Sequence, residues 1–196
     1  MTKARVAVLI SGAGSNMAAL LYASRAETSP YEIVLVASNN PGAPGLRLAE
    51  AEGIPTYAHS HKGMERAAFD ELLHKQLRAA RADYVALAGY MRLLTPEFVS
   101  RWEGRMLNVH PSLLPLHKGL HPQQQAIDAG DKESGCSVHF VIPGVDEGPT
   151  ILQRRVPIQP GDTADTLAAR ILVEEHRAYP EALAMLARGD VSYTAS

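Results

Sequence analysis

The chain has 196 residues, 46% of them apolar, which suits one large domain with an ordinary core. Nineteen basic residues against twenty-one acidic ones leave a net charge of −2, so nothing in the composition argues for a nucleic-acid footprint. A lone cysteine, Cys136, allows no intrachain disulfide; the first apolar run is too short for a signal peptide and no stretch approaches a membrane span, so a soluble cytoplasmic protein is expected.

RVAVLI (5–10) is a continuous β-branched and aliphatic run, the pattern of a strand buried on both faces of a parallel sheet. SGAGSN (11–16) interrupts it, and SNMAALLYASRA continues with helical spacing and Ser15 or Asn16 as the cap. YEIVLVAS (31–38) predicts a second buried strand, GLRLAEAEG (45–53) a helix that stops at Gly53, and PTYA a short strand. Within residues 64–82, Phe69, Leu72, Leu73, Leu77 and Ala80 recur at helical spacing. DYVALAG (83–89) is another strand, and Thr95-Pro96-Glu97 offers a cap, a first-turn proline and an acid, so a helix starts there. RMLNVH (105–110) is the next strand, and HPQQQAIDAG (121–130) a helix ending at Gly130. CSVHFVI and TILQRRVPI read as two later strands around a loop, and a helix from about Thr163 to Leu186, bent near Pro180, follows. The alternation predicts an α/β domain whose sheet is largely parallel, with an antiparallel pair at the end.

The glycine loop 11–16 joins the first strand to the first helix, where backbone amides and the helix N-terminus favour an anion. A dinucleotide fingerprint would place a third glycine at Met17 and an acid near SNN (38–40); neither is present, and a phosphate monoester suits the loop better. The plainer alternative is a tight turn ahead of a capped helix.

Asn108 and His110 lie two apart on a strand, so they share one side, and Pro111 keeps His110 extended. An amide and an imidazole at the carboxyl end of a strand can hold a carbonyl oxygen as it becomes an oxyanion. They could equally be polar groups satisfied by loop backbone. Asp146, in the Gly- and Pro-rich loop IPGVDEGPTI, is a carboxylate partner for His110 or a solvated turn residue. His59-x-His61 lacks a second ligand pair for zinc, and Cys136 reads as a small buried hydrophobe.

In order along the chain, VLISGAGSNMAAL, LAGYMRLLTPEFV, LNVHPSLLP, GLH, GCSVHFVIPGVDEGPTILQRRVPI and EEHRAYPEAL resemble the glycinamide ribonucleotide formyltransferase family of purine biosynthesis, from residue 8 to about 183. The resemblance implies a single Rossmann-like formyltransferase domain over 1–196, with a phosphate-binding half (1–100) and a catalytic, folate-binding half (101–196). It implies transfer of the formyl group of 10-formyltetrahydrofolate, the co-substrate, to the amine of 5-phosphoribosyl-glycinamide, without metal or covalent enzyme intermediate. By the same resemblance Asn108, His110 and Asp146 are catalytic, and Gly14, Ser15, Asn16 and Glu175 bind the ribonucleotide. Folate falls to Arg66, Met91, Arg92, Leu93, Leu94, Asn108, Ile142, Pro143, Gly144, Val145 and Asp146. The partners implied are those two small molecules, with no nucleic acid and no membrane, in a monomer or homodimer. Glu175 also stands on the helical stripe of Leu167 and Ile171, an acid among core positions unless the stripe surfaces there.

Gln123 and His117 depart from the family's residues in the loop after the strand end. A formyltetrahydrofolate hydrolase would read NxHHS where this chain has Pro111, and a methionyl-tRNA formyltransferase would add an RNA-binding domain. A non-catalytic phosphate- or folate-binding module would have no need of the Asn108, His110 and Asp146 set.

Overall fold

In the computed structural model, which describes residues 2–194, the five strands predicted first are parallel. They are β1 (Ala4–Ile10), β2 (Tyr31–Ser38), β3 (Thr56–Ala58), β4 (Tyr84–Leu87) and β5 (Met106–His110). β6 (Glu133–Phe140) and β7 (Thr150–Pro157) complete the sheet as antiparallel neighbours, in the order β3-β2-β1-β4-β5-β6-β7. The chain winds outward from β1 on one side and then, from β4, on the other. The crevice beyond the carboxyl ends of β1 and β4 is therefore the topological switch point, where open α/β sheets bind ligands.

Strand alternation divides the core in two. Val6, Val8 and Ile10 face α1 (Ser15–Ser24), α2 (Pro44–Ala51) and α6 (Ala164–Arg188), in a layer that includes Leu20, Leu46, Ile171 and Tyr179. Ala7 and Leu9 face α3 (Arg66–Ala79) and α4 (Pro96–Arg101), in a layer with Phe69, Leu73, Leu77, Phe98 and Trp102. Both faces of the central strands are thus covered, which is why their sequences run apolar without a break. A short α5 (Pro122–Asp128) packs against α6. Tyr179, fully buried on α6, has its hydroxyl 3.0 Å from both the Leu87 and Leu107 carbonyls and so ties that helix to β4 and β5.

Two local expectations need correction. α1 is capped by Gly14, with no side-chain cap bond, rather than by Ser15 or Asn16, because the left-handed Gly14 (φ 76°) turns the chain one residue earlier. β6 begins at Glu133 rather than Cys136: backbone pairing with β7, Gly135 opposite Arg155, extends the strand where the side chains carry no apolar signal. α6 runs without interruption through Pro180 to Arg188, starting after a Thr163 cap box in which Thr163 and Thr166 exchange hydrogen bonds. The Leu114–Pro115 peptide is cis.

Candidate active site

The glycine loop lies at the switch point. The Ala18 amide donates to the Gly14 carbonyl at 2.8 Å, which leaves the amides of Ser15, Asn16 and Met17 without helical partners. Gly14 is needed twice over. Its φ is left-handed, and a Cβ there would lie 3.1 Å from the Gly45 Cα and 3.0 Å from the Met17 Cε. The Ser11 hydroxyl donates to Asn39 Oδ1 at 2.6 Å and accepts from the Met91 amide at 2.8 Å, so the loop is tied to the segment after β4.

Asn16 reaches across to α6, where its Nδ2 donates to Glu175 Oε2 at 2.6 Å. Glu175 is 7% exposed, and its stripe continues inward to Ala178 and Ala182; the stripe does not surface at the acid. Burial pushes the Glu175 carboxyl up, against the opposing effect of the Asn16 bond. Asn16 Oδ1 is buried without a partner. A buried acid and an unsatisfied amide oxygen beside free helix amides form a polar recess with spare hydrogen-bonding capacity.

At the end of β5, Asn108, His110 and Asp146 come together. His110 Nδ1 lies 3.2 Å from Asp146 Oδ2, with both side chains less than a tenth exposed. His110 Nε2 lies 2.9 Å from the His117 carbonyl, which can only accept, so Nε2 carries a hydrogen. With acceptors at both ring nitrogens, only the imidazolium makes both bonds. Asn108 Nδ2 is 3.3 Å from His139 Nε2 and 3.5 Å from Asp146 Oδ1. Burial pushes the Asp146 carboxyl up, yet the His139 imidazole, the Gly119 amide and the His110 imidazole outweigh it and hold the group below the ordinary Asp value. Asp146 itself is left-handed (φ 55°), a conformation uncommon outside glycine and seen where surrounding contacts fix a functional group.

Against this cluster opens a cavity of about 410 Å³. Its floor is apolar, from Leu87, Leu94, Val99, Val141 and Ile142; Arg66 and Arg92 supply cations, and Asn108, His139 and Asp146 the polar end. Leu93, Pro143, Gly144 and Val145 complete the wall. A wider hollow of about 640 Å³ lies among Asp83, Glu103, Arg105 and Tyr193, at the amino ends of β1 and β4 and away from these groups.

A family model described as formyl transferase matches residues 4–183. The chain belongs to the formyl transferase family. It is 53% identical over 188 residues to the trifunctional purine biosynthetic protein adenosine-3 of Drosophila melanogaster, covering 94% of this chain but only 14% of that longer protein. It is 43% identical over 185 residues to the phosphoribosylglycinamide formyltransferase of Escherichia coli K12, covering 94% of this chain and 87% of the relative. The crystal structure of phosphoribosylglycinamide formyltransferase from Brucella melitensis superposes with a TM-score of 0.92 at 49% identity, covering 99% of this chain and all of that one.

Of the folate residues implied by sequence, ten line the cavity of this formyl transferase; Met91 does not. Met91 is 72% exposed, and its amide donates to the Ser11 hydroxyl. His110 is also absent from the cavity wall, and both its ring nitrogens are occupied; of the two donors expected to face one oxygen, only Asn108 opens onto the cavity. Sequence reasoning passed over His139 and Gly119; Tyr90, read as a packing residue bordering the folate segment, lines the cavity. His139 stands directly opposite Asn108 in the β5–β6 pairing, so the strand register would have placed it on the same face. Gly119 donates its amide to Asp146 Oδ2 at 3.0 Å, a backbone role with no side-chain signal. Among the described residues no group of three or more His, Cys, Asp or Glu is arranged to hold a metal, and no helix is long and apolar enough to cross a membrane.

Proposed function

We propose that this chain transfers the formyl group of 10-formyltetrahydrofolate to the primary amine of 5-phosphoribosyl-glycinamide, in the cytoplasm, giving the formylated ribonucleotide and tetrahydrofolate. The observation that carries the reading is the junction of Asn108, His110 and Asp146 with an apolar, Arg-flanked cavity. A planar heterocycle with an anionic tail suits that cavity, its ring on Leu94, Val141 and Ile142 and its carboxylates toward Arg66 and Arg92. The recess of Gly14, Ser15 and Asn16 suits a phosphate, with Glu175 left for the hydroxyls of a sugar.

The amine nitrogen attacks the formyl carbon, forming a C–N bond and a tetrahedral oxyanion. Asn108 donates to that oxygen. The His110 imidazolium adds positive charge beside it, on the same side of β5. Asp146 holds the imidazolium and orients a water that takes the proton from the attacking nitrogen to the folate nitrogen as the old C–N bond breaks. No electrons leave the pair of substrates and no oxidant is needed.

Incubation with both substrates should yield the formylated ribonucleotide by mass spectrometry. Loss of the formyl group as formate instead would point to hydrolysis, the reading Pro111 disfavours; ligand binding without either product would leave a binding module.

A further inference from the structure

We infer that Asp131 and His117 form a positioning pair that sets the His110–Asp146 couple from outside the cavity, an inference that rests on the function proposed above. The loop after β5 touches both members of the couple. The His117 carbonyl receives His110 Nε2–H at 2.9 Å, and two residues on the Gly119 amide donates to Asp146 Oδ2 at 3.0 Å. Residues 117–119 therefore bridge the imidazole and the carboxylate from behind, and whatever fixes this short turn fixes their separation.

His117 is left-handed (φ 52°), a backbone state uncommon for a residue without glycine's freedom. Something must hold it there. Its side chain supplies the hold, with Nε2 2.6 Å from Asp131 Oδ2, just beyond the end of α5. Asp131 is itself seated by its amide on the Ala126 carbonyl at 3.1 Å, on a fully buried residue of α5. The near side of the turn is anchored by Ser112, fully buried, whose hydroxyl donates to the Leu116 carbonyl at 2.6 Å. The far side is held by Gln125, whose Nε2 donates to the Leu120 carbonyl at 2.8 Å. Neither His117 nor Asp131 lines the cavity of about 410 Å³, so neither is placed to touch folate. The path runs from Asp131 through the His117 ring and its backbone to His110, and it closes on Asp146 through Gly119. Displacing a reacting group by about 1 Å can reduce turnover by roughly 10²-fold, so a modest slackening of the turn is expected to act on kcat.

The test uses the full chain with Asp131→Ala, His117→Phe, their double variant, and Asp131→Asn, which keeps an oxygen for the His117 Nε2–H. Each alanine or phenylalanine variant should lose about 10-fold in kcat with KM for both substrates within about twofold, and the double variant should lose no more than the worse single one. Asp131→Asn should restore most of the loss. In the free protein, the ¹⁵N and ¹H signals of the His110 ring should shift in Asp131→Ala, while a thermal melt reports an intact fold. An unchanged kcat and unmoved His110 signals would overturn the inference. So would a rise in KM alone, which would put the pair in substrate contact. If wild type does not formylate the amine, the proposed function falls, and the His110 signals alone then decide whether the pair positions the imidazole.

Discussion

Asn108 and His110 share a side of β5, yet the structure gives them different surroundings and so different tasks. Asn108 opens onto the cavity; His110 is buried with both ring nitrogens engaged. Removing a donor aimed at a developing oxyanion typically lowers turnover by about 10²–10³-fold. Asn108→Ala is expected to lose kcat on that scale with little change in KM, as steady-state kinetics would record. His110→Ala should lose a comparable factor, and an equal loss in an Asn108→Ala/His110→Ala double variant would mark them as one unit. Glu175 makes a separate prediction. Burial raises its carboxyl, so its folded form prefers the proton; the stability it contributes is full below the unfolded value and is lost as pH rises through the folded one. Glu175→Gln keeps an oxygen for Asn16 and removes the charge. Melting temperature at neutral pH should rise relative to wild type while KM for the ribonucleotide increases; a lower melting temperature would show that the carboxylate stabilises the fold instead.

At the scale of elements, the strands were readable because both faces are buried and the apolar runs are continuous, and the Asn108–His110 pair because alternation needs no tertiary knowledge. What stayed hidden depended on pairing or backbone shape. His139 becomes a neighbour of Asn108 only through the β5–β6 register, and β6 starts at Glu133 only because β7 pairs there. Ser15 and Asn16 have the chemistry of caps, but the turn is made by Gly14, and Asn16 is spent instead on Glu175. Gly14→Ala should therefore disturb loop and function together. A side chain at φ 76° is strained by about 1–2 kcal/mol, and its Cβ would press on Gly45 of α2. Denaturant unfolding should report a loss of that size, and KM for the ribonucleotide should rise about tenfold as the amides of the loop turn away from the phosphate. Unchanged ribonucleotide KM in a destabilised Gly14→Ala would separate the loop from substrate binding.

For the whole molecule, strand order is what makes one site out of distant segments. β1 ends in the glycine loop, β4 in the segment that carries Arg92, Leu93 and Leu94, and β5 in Asn108 and His110; the three strands are adjacent, so their carboxyl ends meet. The β6–β7 turn returns Asp146 to that edge, and α6, tied by Tyr179 to β4 and β5, brings Glu175 to the glycine loop. On the proposed function, an amine at one end of this crevice would face a formyl donor at the other, and the reaction would require both. The most direct measurement follows the absorbance of 10-formyltetrahydrofolate with the chain present, with and without 5-phosphoribosyl-glycinamide. Deformylation that depends on the ribonucleotide is the predicted result; an equal rate without it, or none with it in folded protein, would contradict formyl transfer to that amine.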